Sequence, residues 1–329
     1  MALRIVFFGT PEFAIPSLVE LHMHFEVPLV VAQPDRPKGR GRALAAPPIK
    51  EKALERGIPC LQVERPNAPG AIAALRKVEA DLFVVVAYGA LLSKELLAVP
   101  KLGAINLHAS LLPEFRGASP IQAALLAGRT ETGVTTMWMD EGLDTGDIIL
   151  QRTVPIGPDE TAGELSSRLA REGAMMLSFS VEDATNDHPH RLPQDASRAT
   201  LTKKIRKSDG WLDFTPAAQE VHDRARAMTP WPGAIATFDG SPVRFERTRV
   251  ATEVEDGDRA GARPEPGAIG GEGPQGGLLV ACGKGAIEVL RVRPAGRKTM
   301  DALDWWRGLR SGKGSAPRFT TPSRDEEMS

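Results

Sequence analysis

Two polar side chains, Asn106 and His108, lie two residues apart in the mostly apolar run GAINLHA. Side chains alternate between the two faces of a strand, so both would point the same way if this run is a strand. An asparagine amide can donate a hydrogen bond to an oxygen that gains negative charge, and a histidine can donate or transfer a proton. The pair therefore indicates a catalytic role, with a structural core histidine as the alternative.

An acidic loop with the sequence MDEGLDTGDI follows the next apolar run. Asp144 in this loop could fix the tautomer of His108 and favour its charged form. A turn-forming role is the alternative, because Asp and Gly are common in turns. No Ser or Cys nucleophile lies in register with this group, which favours direct transfer to an incoming nucleophile over a covalent enzyme intermediate.

Strand and helix patterns alternate through the first half of the chain. The predicted strands are LRIVFFG, VPLVVAQ, ADLFVVVAY, GAINLHA and GVTTMWM, and helical patterns cover residues 12–24, 44–56, 69–78, 93–98, 118–127 and 161–184. This alternation predicts an α/β fold with a Rossmann-like, doubly wound, mostly parallel sheet. Ligands bind at the carboxyl ends of the strands in such sheets, where Asn106 and His108 lie. A capping box from Thr161 to Glu164 is expected to start the last helix.

The second half of the chain has a different composition. The short strands AIATF, VRFERTRV, GLLVAC and AIEVLRVRP, separated by Gly-rich turns, predict a small OB-like β-barrel. Residues 253–276 are rich in Gly and Pro and are expected to form a mobile loop. The predicted domains are a catalytic domain (1–187), a basic linker (188–207), a C-terminal barrel-like domain (208–311) and a flexible tail (312–329).

The composition excludes several classes of protein. The chain has 329 residues, 42% of them hydrophobic and 25% charged, and it has no apolar run long enough for a membrane helix. The N-terminal apolar run is interpreted as a first strand rather than a signal peptide. Two isolated cysteines favour a reducing, cytoplasmic location, and nothing in the sequence demands an oligomer, so we expect a monomer. FFGTPEF has only Gly9 where a dinucleotide fingerprint needs three glycines, so no nicotinamide cofactor is expected.

Basic residues cluster in two segments. QPDRPKGRGR follows the second predicted strand, and KKIRK, Lys203 to Lys207, lies in the predicted linker. Such a cluster can bind phosphates of a nucleic acid, or it can be a solvated loop, and the residues alone favour neither interpretation.

Several of these segments resemble a known family. NLHASLLPEFRGASPIQAALLAG and GVTTMWMDEGLDTGDII are similar to the signature of the folate-dependent formyltransferases. FFGTPEFA, QPDRPKGRGR, VVVAYGALL and TPWPGA further resemble the members that act on methionyl-initiator tRNA. The resemblance extends from residue 3 to about residue 300, apart from residues 253–276.

The resemblance implies an enzyme that transfers the formyl group of 10-formyltetrahydrofolate to the free amino group of methionyl-initiator tRNA for translation initiation. It implies no metal. The residues that match the family's site are Asn106, His108 and Asp144 for catalysis; Ser110, Leu111, Leu112, Pro113, Tyr88 and Leu92 for folate binding; and Arg36, Lys38, Arg40, Arg42, Lys203, Lys204 and Lys207 for tRNA binding. The alternatives are a formyltransferase that acts on glycinamide ribonucleotide or an amino sugar, and a binding module without catalysis.

Overall fold

The computed structural model describes residues 3–38, 43–251, 264–309 and 317–322. The chain divides into two compact units. The first comprises Met1–Pro120, Glu131–Pro155 and Ser166–Lys203, and the second comprises Ile121–Thr130, Ile156–Leu165 and Lys204–Ser329. The boundary between the units therefore falls inside the predicted linker, 188–207: its residues up to Lys203 belong to the first unit, and the rest belong to the second.

Short strands and helices alternate up to residue 202. The strands are β1 Arg4–Gly9, β2 Glu26–Ala32, β3 Arg36–Lys38, β4 Ala43–Ala45, β5 Cys60–Gln62, β6 Leu82–Val86, β7 Ala104–His108, β8 Arg116–Gly117, β9 Glu131–Trp138, β10 Ile148–Pro155 and β11 Leu201–Thr202. The helices are α1 Ile15–His24, α2 Pro48–Glu55, α3 Pro69–Arg76, α4 Lys94–Leu97, α5 Pro120–Leu126 and α6 Ala162–Asp183.

The main sheet of the first unit has the strand order β10-β9-β7-β6-β1-β2-β5. Strands β7, β6, β1, β2 and β5 are parallel to one another. Strand β9 runs antiparallel to β7, and the edge strand β10 runs antiparallel to β9. All five residues of β6 are buried, as expected for a parallel strand that is covered on both faces. The prediction of a Rossmann-like, mostly parallel sheet is confirmed.

Two small pairs accompany this sheet. Strands β3 and β4 form an antiparallel hairpin, and β11 runs parallel to β8. The pairing of β11 with β8 was not predicted from the sequence, and it connects the predicted linker to the loop that follows β7.

The second unit contains an antiparallel sheet. Its strands are β12 Ala234–Phe238, β13 Ser241–Val250, β14 Ile269–Glu272, β15 Leu278–Ala281, β16 Ala286–Pro294, β17 Met300–Asp301 and β18 Phe319–Thr320, and its helices include α7 Ala218–Ala227 and α8 Ala302–Leu309. The order is β14-β15-β16-β13-β12-β18, with β17 paired to β16. The two ends meet where Ala268 bridges Arg318 and the Phe319 amide donates to the Gly267 carbonyl at 2.8 Å. The sheet thus curls into a small barrel, as predicted.

A capping box precedes α6, as predicted. The Thr161 amide donates to Glu164 Oε2 at 2.8 Å, and the Glu164 amide donates to Thr161 Oγ1 at 3.3 Å. The loop before this box is held by buried His222 of α7, whose Nε2 lies 2.9 Å from the Pro158 carbonyl. Burial lowers the pKa of His222, which favours the neutral ring.

Two segments that were expected to be flexible contain strands. Strand β14 lies within the predicted mobile loop 253–276, and β18 lies within the predicted tail 312–329. Phe319 is 1% exposed, and its ring lies 4.9 Å from that of Phe245 and 5.8 Å from that of Trp305. The expectation of a flexible tail is wrong here because one aromatic residue in a polar segment fills the barrel core. Residues 252–263, 310–316 and 323–329 lie outside the described part of the chain.

We expect Phe319→Ala to destabilise the protein by about 3–5 kcal/mol, because it leaves a cavity among packed aromatic rings. Phe179→Ala is the matched control, since Phe179 is 62% exposed and its loss should change stability by only about 0.5 kcal/mol. Urea unfolding followed by tryptophan fluorescence measures both. Equal effects of the two substitutions would contradict the assigned position of Phe319.

Candidate active site

Asn106 and His108 lie on β7, between parallel β6 and antiparallel β9. They occupy alternate positions and so point to the same face of the sheet. Asn106 is 9% exposed and His108 is 6% exposed. His108 is the last residue of β7, at the carboxyl end, where open α/β sheets bind their ligands. Two polar side chains are therefore held at the ligand-binding edge of the sheet.

The His108 ring has an oxygen atom near each nitrogen. Nε2 lies 3.0 Å from the Phe115 carbonyl oxygen, and Nδ1 lies 3.6 Å from Asp144 Oδ2. The first distance is that of a hydrogen bond, whereas the second is that of a longer ion pair. An imidazolium carries a proton on each nitrogen and can serve both oxygens at once. The structure thus brings together His108 and Asp144, which are 36 residues apart in the sequence.

Asp144 is held in an unusual backbone conformation. Its φ is +54°, a region that Asp enters more readily than most residues but that still costs energy. Its Oδ2 accepts a hydrogen bond from the Gly117 amide at 2.7 Å, and its carbonyl accepts one from Gln194 Nε2 at 3.0 Å. The carboxylate is therefore aimed at His108 by contacts with two other segments of the same unit.

The Ser-Leu-Leu-Pro loop that follows β7 is tied down from within. Ser110 Oγ donates to the Glu114 carbonyl at 2.6 Å, and Thr135 Oγ1 donates to the Ser110 carbonyl at 2.7 Å. Ser110, Leu112 and Pro113 are buried, and only Leu111 is half-buried. Because the Ser110 hydroxyl is already committed to a backbone carbonyl, it is not poised as a nucleophile.

Tyr88 lies in the core of the first unit. It is 2% exposed, its ring lies 5.3 Å from that of Phe8, and its hydroxyl donates to the Val63 carbonyl at 3.4 Å. Burial raises the pKa of Tyr88 to about 12, so the phenol stays neutral. The side chain of Tyr88 is therefore packed against other core residues, and any contact of this residue with folate would involve its backbone.

Leu92 is 5% exposed and lines a cavity of about 560 Å³. The same cavity is bordered by the exposed side chains of Leu91 and Lys94 and by Glu141 of the acidic loop. Lys94 Nζ lies 3.2 Å from Glu141 Oε1. An open cavity with both apolar and charged walls thus adjoins the loop that carries Asp144.

The predicted basic residues fall into two places. Arg36 is exposed on the β3–β4 hairpin and Lys38 ends β3, while Arg40 and Arg42 lie outside the described residues. Lys203, Lys204 and Lys207 are exposed. Lys203 belongs to the first unit, and the other two belong to the second. Arg36 and the three lysines are therefore accessible to a partner.

Sequence reasoning missed Arg116 and Gln194. Arg116 is 8% exposed, and its Nε and Nη2 donate to Gln194 Oε1 at 3.1 and 2.7 Å. Gln194 lies in the segment that was interpreted as a linker, and its local sequence carries no apolar period. The Arg-Gly pair after the Ser-Leu-Leu-Pro loop was the available signal, because an arginine in a stretch rich in apolar and small residues needs a partner if it is buried.

The described residues offer neither a metal site nor a membrane span. No group of three or more His, Cys, Asp or Glu side chains within the part of the chain that the structure describes could hold a metal ion. Within the same residues, no helix has the length and apolar character needed to cross a membrane.

Both units match profiles of one enzyme family. The profile of formyl transferases matches residues 3–181, more than half of the chain, and the profile of the C-terminal domain of formyl transferases matches residues 204–310. The chain belongs to the formyl transferase family.

Two formyl transferases illustrate the similarity at full length. The methionyl-tRNA formyltransferase of Symbiobacterium thermophilum is 44% identical, over 97% of this chain and 96% of that protein. The methionyl-tRNA formyltransferase of Myxococcus xanthus is 43% identical, over 95% of this chain and 97% of that protein. The likeness is therefore not confined to one of the two units.

Two solved structures share the fold. WlaRD, a sugar 3N-formyl transferase, has a TM-score of 0.64 at 18% identity and covers 91% of this chain and 100% of its own. HypX from Aquifex aeolicus, in complex with tetrahydrofolic acid, has a TM-score of 0.62 at 14% identity and covers 98% of this chain and 51% of its own. At these identities the likeness establishes the fold.

Formyl transfer should be sensitive to Gly117→Ala. Gly117 has a φ of +111°, and a Cβ there would lie 2.8 Å from the Thr202 carbonyl oxygen, so the amide that binds Asp144 must move. A displacement of about 1 Å can cost about 100-fold in rate, so we expect kcat to fall by at least about tenfold.

Gly57→Ala is the control for backbone strain. Gly57 also has a positive φ, +72°, but open space surrounds the added methyl group. Both variants should lose about 1–2 kcal/mol of stability from the strain, and only Gly117→Ala should lose activity. Equal kcat values for the two variants would exclude a role for the Gly117 amide in placing Asp144.

Proposed function

We propose that the protein transfers the formyl group of 10-formyltetrahydrofolate to the free amino group of methionine on initiator tRNA. The observation that carries this proposal is the 41–44% identity to proteins named methionyl-tRNA formyltransferase over nearly the whole chain. The match of residues 204–310 to the family's C-terminal domain supports it further. The product would be the formylated initiator used in translation.

A folate donor is supported by the structural neighbours. The HypX structure contains tetrahydrofolic acid, and the WlaRD structure was determined in the presence of 5-N-formyl-THF. In this chain, the cavity of about 560 Å³ beside Leu92 has the size of a small-molecule site and adjoins the loop of Asp144. We therefore assign folate binding to this region and to the loop from Ser110 to Pro113.

The proposed chemistry is direct transfer. The neutral amine attacks the formyl carbon and forms a tetrahedral species with a negatively charged oxygen. Asn106 and protonated His108 donate hydrogen bonds to this oxygen. For His108, the oxygen replaces the Phe115 carbonyl as the partner of Nε2. Asp144 orients the His108 ring, and a water relays the proton from the amine to the departing folate nitrogen.

The proposal assigns tRNA binding to the exposed basic residues. Arg36 on the β3–β4 hairpin would meet the acceptor end of the tRNA, and Lys203, Lys204 and Lys207 would bind its phosphates. Arg40 and Arg42, which the resemblance also assigns to tRNA binding, lie outside the described residues. Phosphate contacts position a nucleic acid without reading its sequence, so the choice of initiator over elongator tRNA must use further contacts.

The direct test supplies 10-formyltetrahydrofolate with methionyl-initiator tRNA in one reaction and with glycinamide ribonucleotide in a parallel one. We expect formyl transfer to the tRNA alone. Transfer to the small molecule alone would keep the formyl-transfer chemistry but refute the tRNA substrate and the role of the basic residues.

His108→Ala should lower kcat by about 10²–10³, because one donor to the developing oxyanion is lost. Binding of methionyl-tRNA, measured by filter retention, should remain. His188→Ala is the matched control, because His188 is exposed and belongs to no part of the proposed site. Transfer at the full rate by His108→Ala would refute the assignment.

Replacing Lys203, Lys204 and Lys207 together by Ala should raise the KM for tRNA and leave the KM for folate unchanged. Each phosphate contact that is lost should also reduce the slope of log affinity against log salt concentration by about one. Lys77→Ala, at an exposed lysine elsewhere on the first unit, controls for the loss of one positive charge away from the proposed tRNA site. An unchanged salt slope in the triple variant would contradict the assignment.

A further inference from the structure

A segment that looks like a linker in the sequence crosses the active-site loops in the structure. We call residues 190–202 the strap. The His190 carbonyl accepts a hydrogen bond from Trp138 Nε1 at 3.0 Å, and Leu192 pairs with Ile148 through two backbone hydrogen bonds of 2.8 and 2.9 Å. The strap therefore begins against the strands on either side of the loop that carries Asp144.

Gln194 of the strap uses both ends of its amide. Its Nε2 donates to the carbonyls of Asp144, at 3.0 Å, and Gly146, at 2.7 Å. Its Oε1 accepts both hydrogen bonds from buried Arg116. One half-buried side chain thus connects the backbone of the Asp144 loop to the loop that follows β7.

The end of the strap forms further hydrogen bonds with the loop that follows β7. Thr200 Oγ1 accepts from the Phe115 amide at 2.7 Å, and the Thr200 carbonyl accepts from the Arg116 amide at 2.8 Å. Thr202 Oγ1 donates to the Arg116 carbonyl at 3.1 Å. Phe115 supplies the carbonyl that contacts His108, so the strap reaches both neighbours of the histidine ring.

We propose that Gln194 is a positioning residue for formyl transfer, acting through Asp144. Asp144 has a φ of +54°, so its backbone is not held there by its own conformational preference, and the two donors of Gln194 fix the carbonyls on this turn. The inference rests on the proposed function, because it assumes that Asp144 orients the His108 ring during transfer. The described hydrogen bonds of Gln194 join it to Arg116, Asp144 and Gly146 rather than to His108.

Gln194→Glu isolates this role. The variant keeps an oxygen for Arg116, but it turns the two donors toward Asp144 and Gly146 into an acceptor that repels their carbonyls. We expect kcat for methionyl-tRNA to fall by at least about tenfold, as displacements of about 1 Å can do, with KM for both substrates unchanged within about twofold. The melting temperature should fall by no more than a few degrees, because the charged pair of the new carboxylate with Arg116 offsets much of the loss of the two hydrogen bonds.

Ser197→Ala is the matched control within the strap. Ser197 is exposed and bonds only locally to Asp195, so the variant should retain the wild-type kcat. A strap that merely stabilises the fold predicts the opposite pattern for Gln194→Glu, with a lower melting temperature and an unchanged kcat, and that result would overturn the proposal.

A double-mutant cycle tests whether Gln194 acts through Asp144. In single-turnover transfer by an Asp144→Asn background, Gln194→Glu should change the rate by less than about twofold, since the group that it positions is already lost. The same fold loss in both backgrounds would show that Gln194 acts elsewhere and would overturn the proposal. A wild-type protein that formylates no methionyl-tRNA would instead refute the proposed function, so the two failures are distinguishable.

Discussion

The candidate site depends on the requirement that a buried imidazole find a polar partner for each of its nitrogens. His108 is 6% exposed, and water cannot readily serve its ring. The protein provides the Phe115 carbonyl on one side and the Asp144 carboxylate on the other. The loop after β7 and the loop between β9 and β10 must therefore meet at one residue, and much of the local structure follows from that.

Both loops reach the ring through backbone conformations that most residues avoid. Phe115, Gly117 and Asp144 all have positive φ values. Such conformations persist where the surrounding contacts outweigh their cost, and they cluster at functional sites. Here those contacts are the hydrogen bonds of Arg116 and Gln194, together with the pairing of β8 with β11. The hydrogen bonds of the strap thus hold the loops in these strained conformations.

The strands that carry the site could be predicted from local pattern. The run GAINLHA is apolar enough to be a buried strand, and its period of two placed Asn106 and His108 on one face. The nearness of Asp144 did not follow from the strand pattern, because β9 is antiparallel to β7 and its carboxyl end, Trp138, pairs with Ile105 near the start of β7. It rested on the resemblance to the formyltransferases. The barrel was likewise predictable from short strands and Gly-rich turns.

Other features could not be predicted because their cause is tertiary. Gln194 has no apolar neighbours in a periodic pattern, and its role exists only where the strap passes the Asp144 loop. Tyr88 was assigned to the pocket by resemblance, but the position of its ring depends on packing against Phe8 in the core. Phe319 lies in a polar tail whose composition indicated flexibility. Its ring is nevertheless buried, which the composition of the tail does not indicate.

Single-turnover formyl transfer by Asp144→Asn at saturating methionyl-initiator tRNA and folate tests the central claim most directly. Asn has nearly the same size, tolerates the same positive φ and can still accept the Gly117 hydrogen bond, so the fold should be retained. If the Asp144 carboxylate orients the His108 ring for transfer, the rate should fall by at least about 100-fold while both substrates still bind. A rate within about twofold of the wild type would contradict the account.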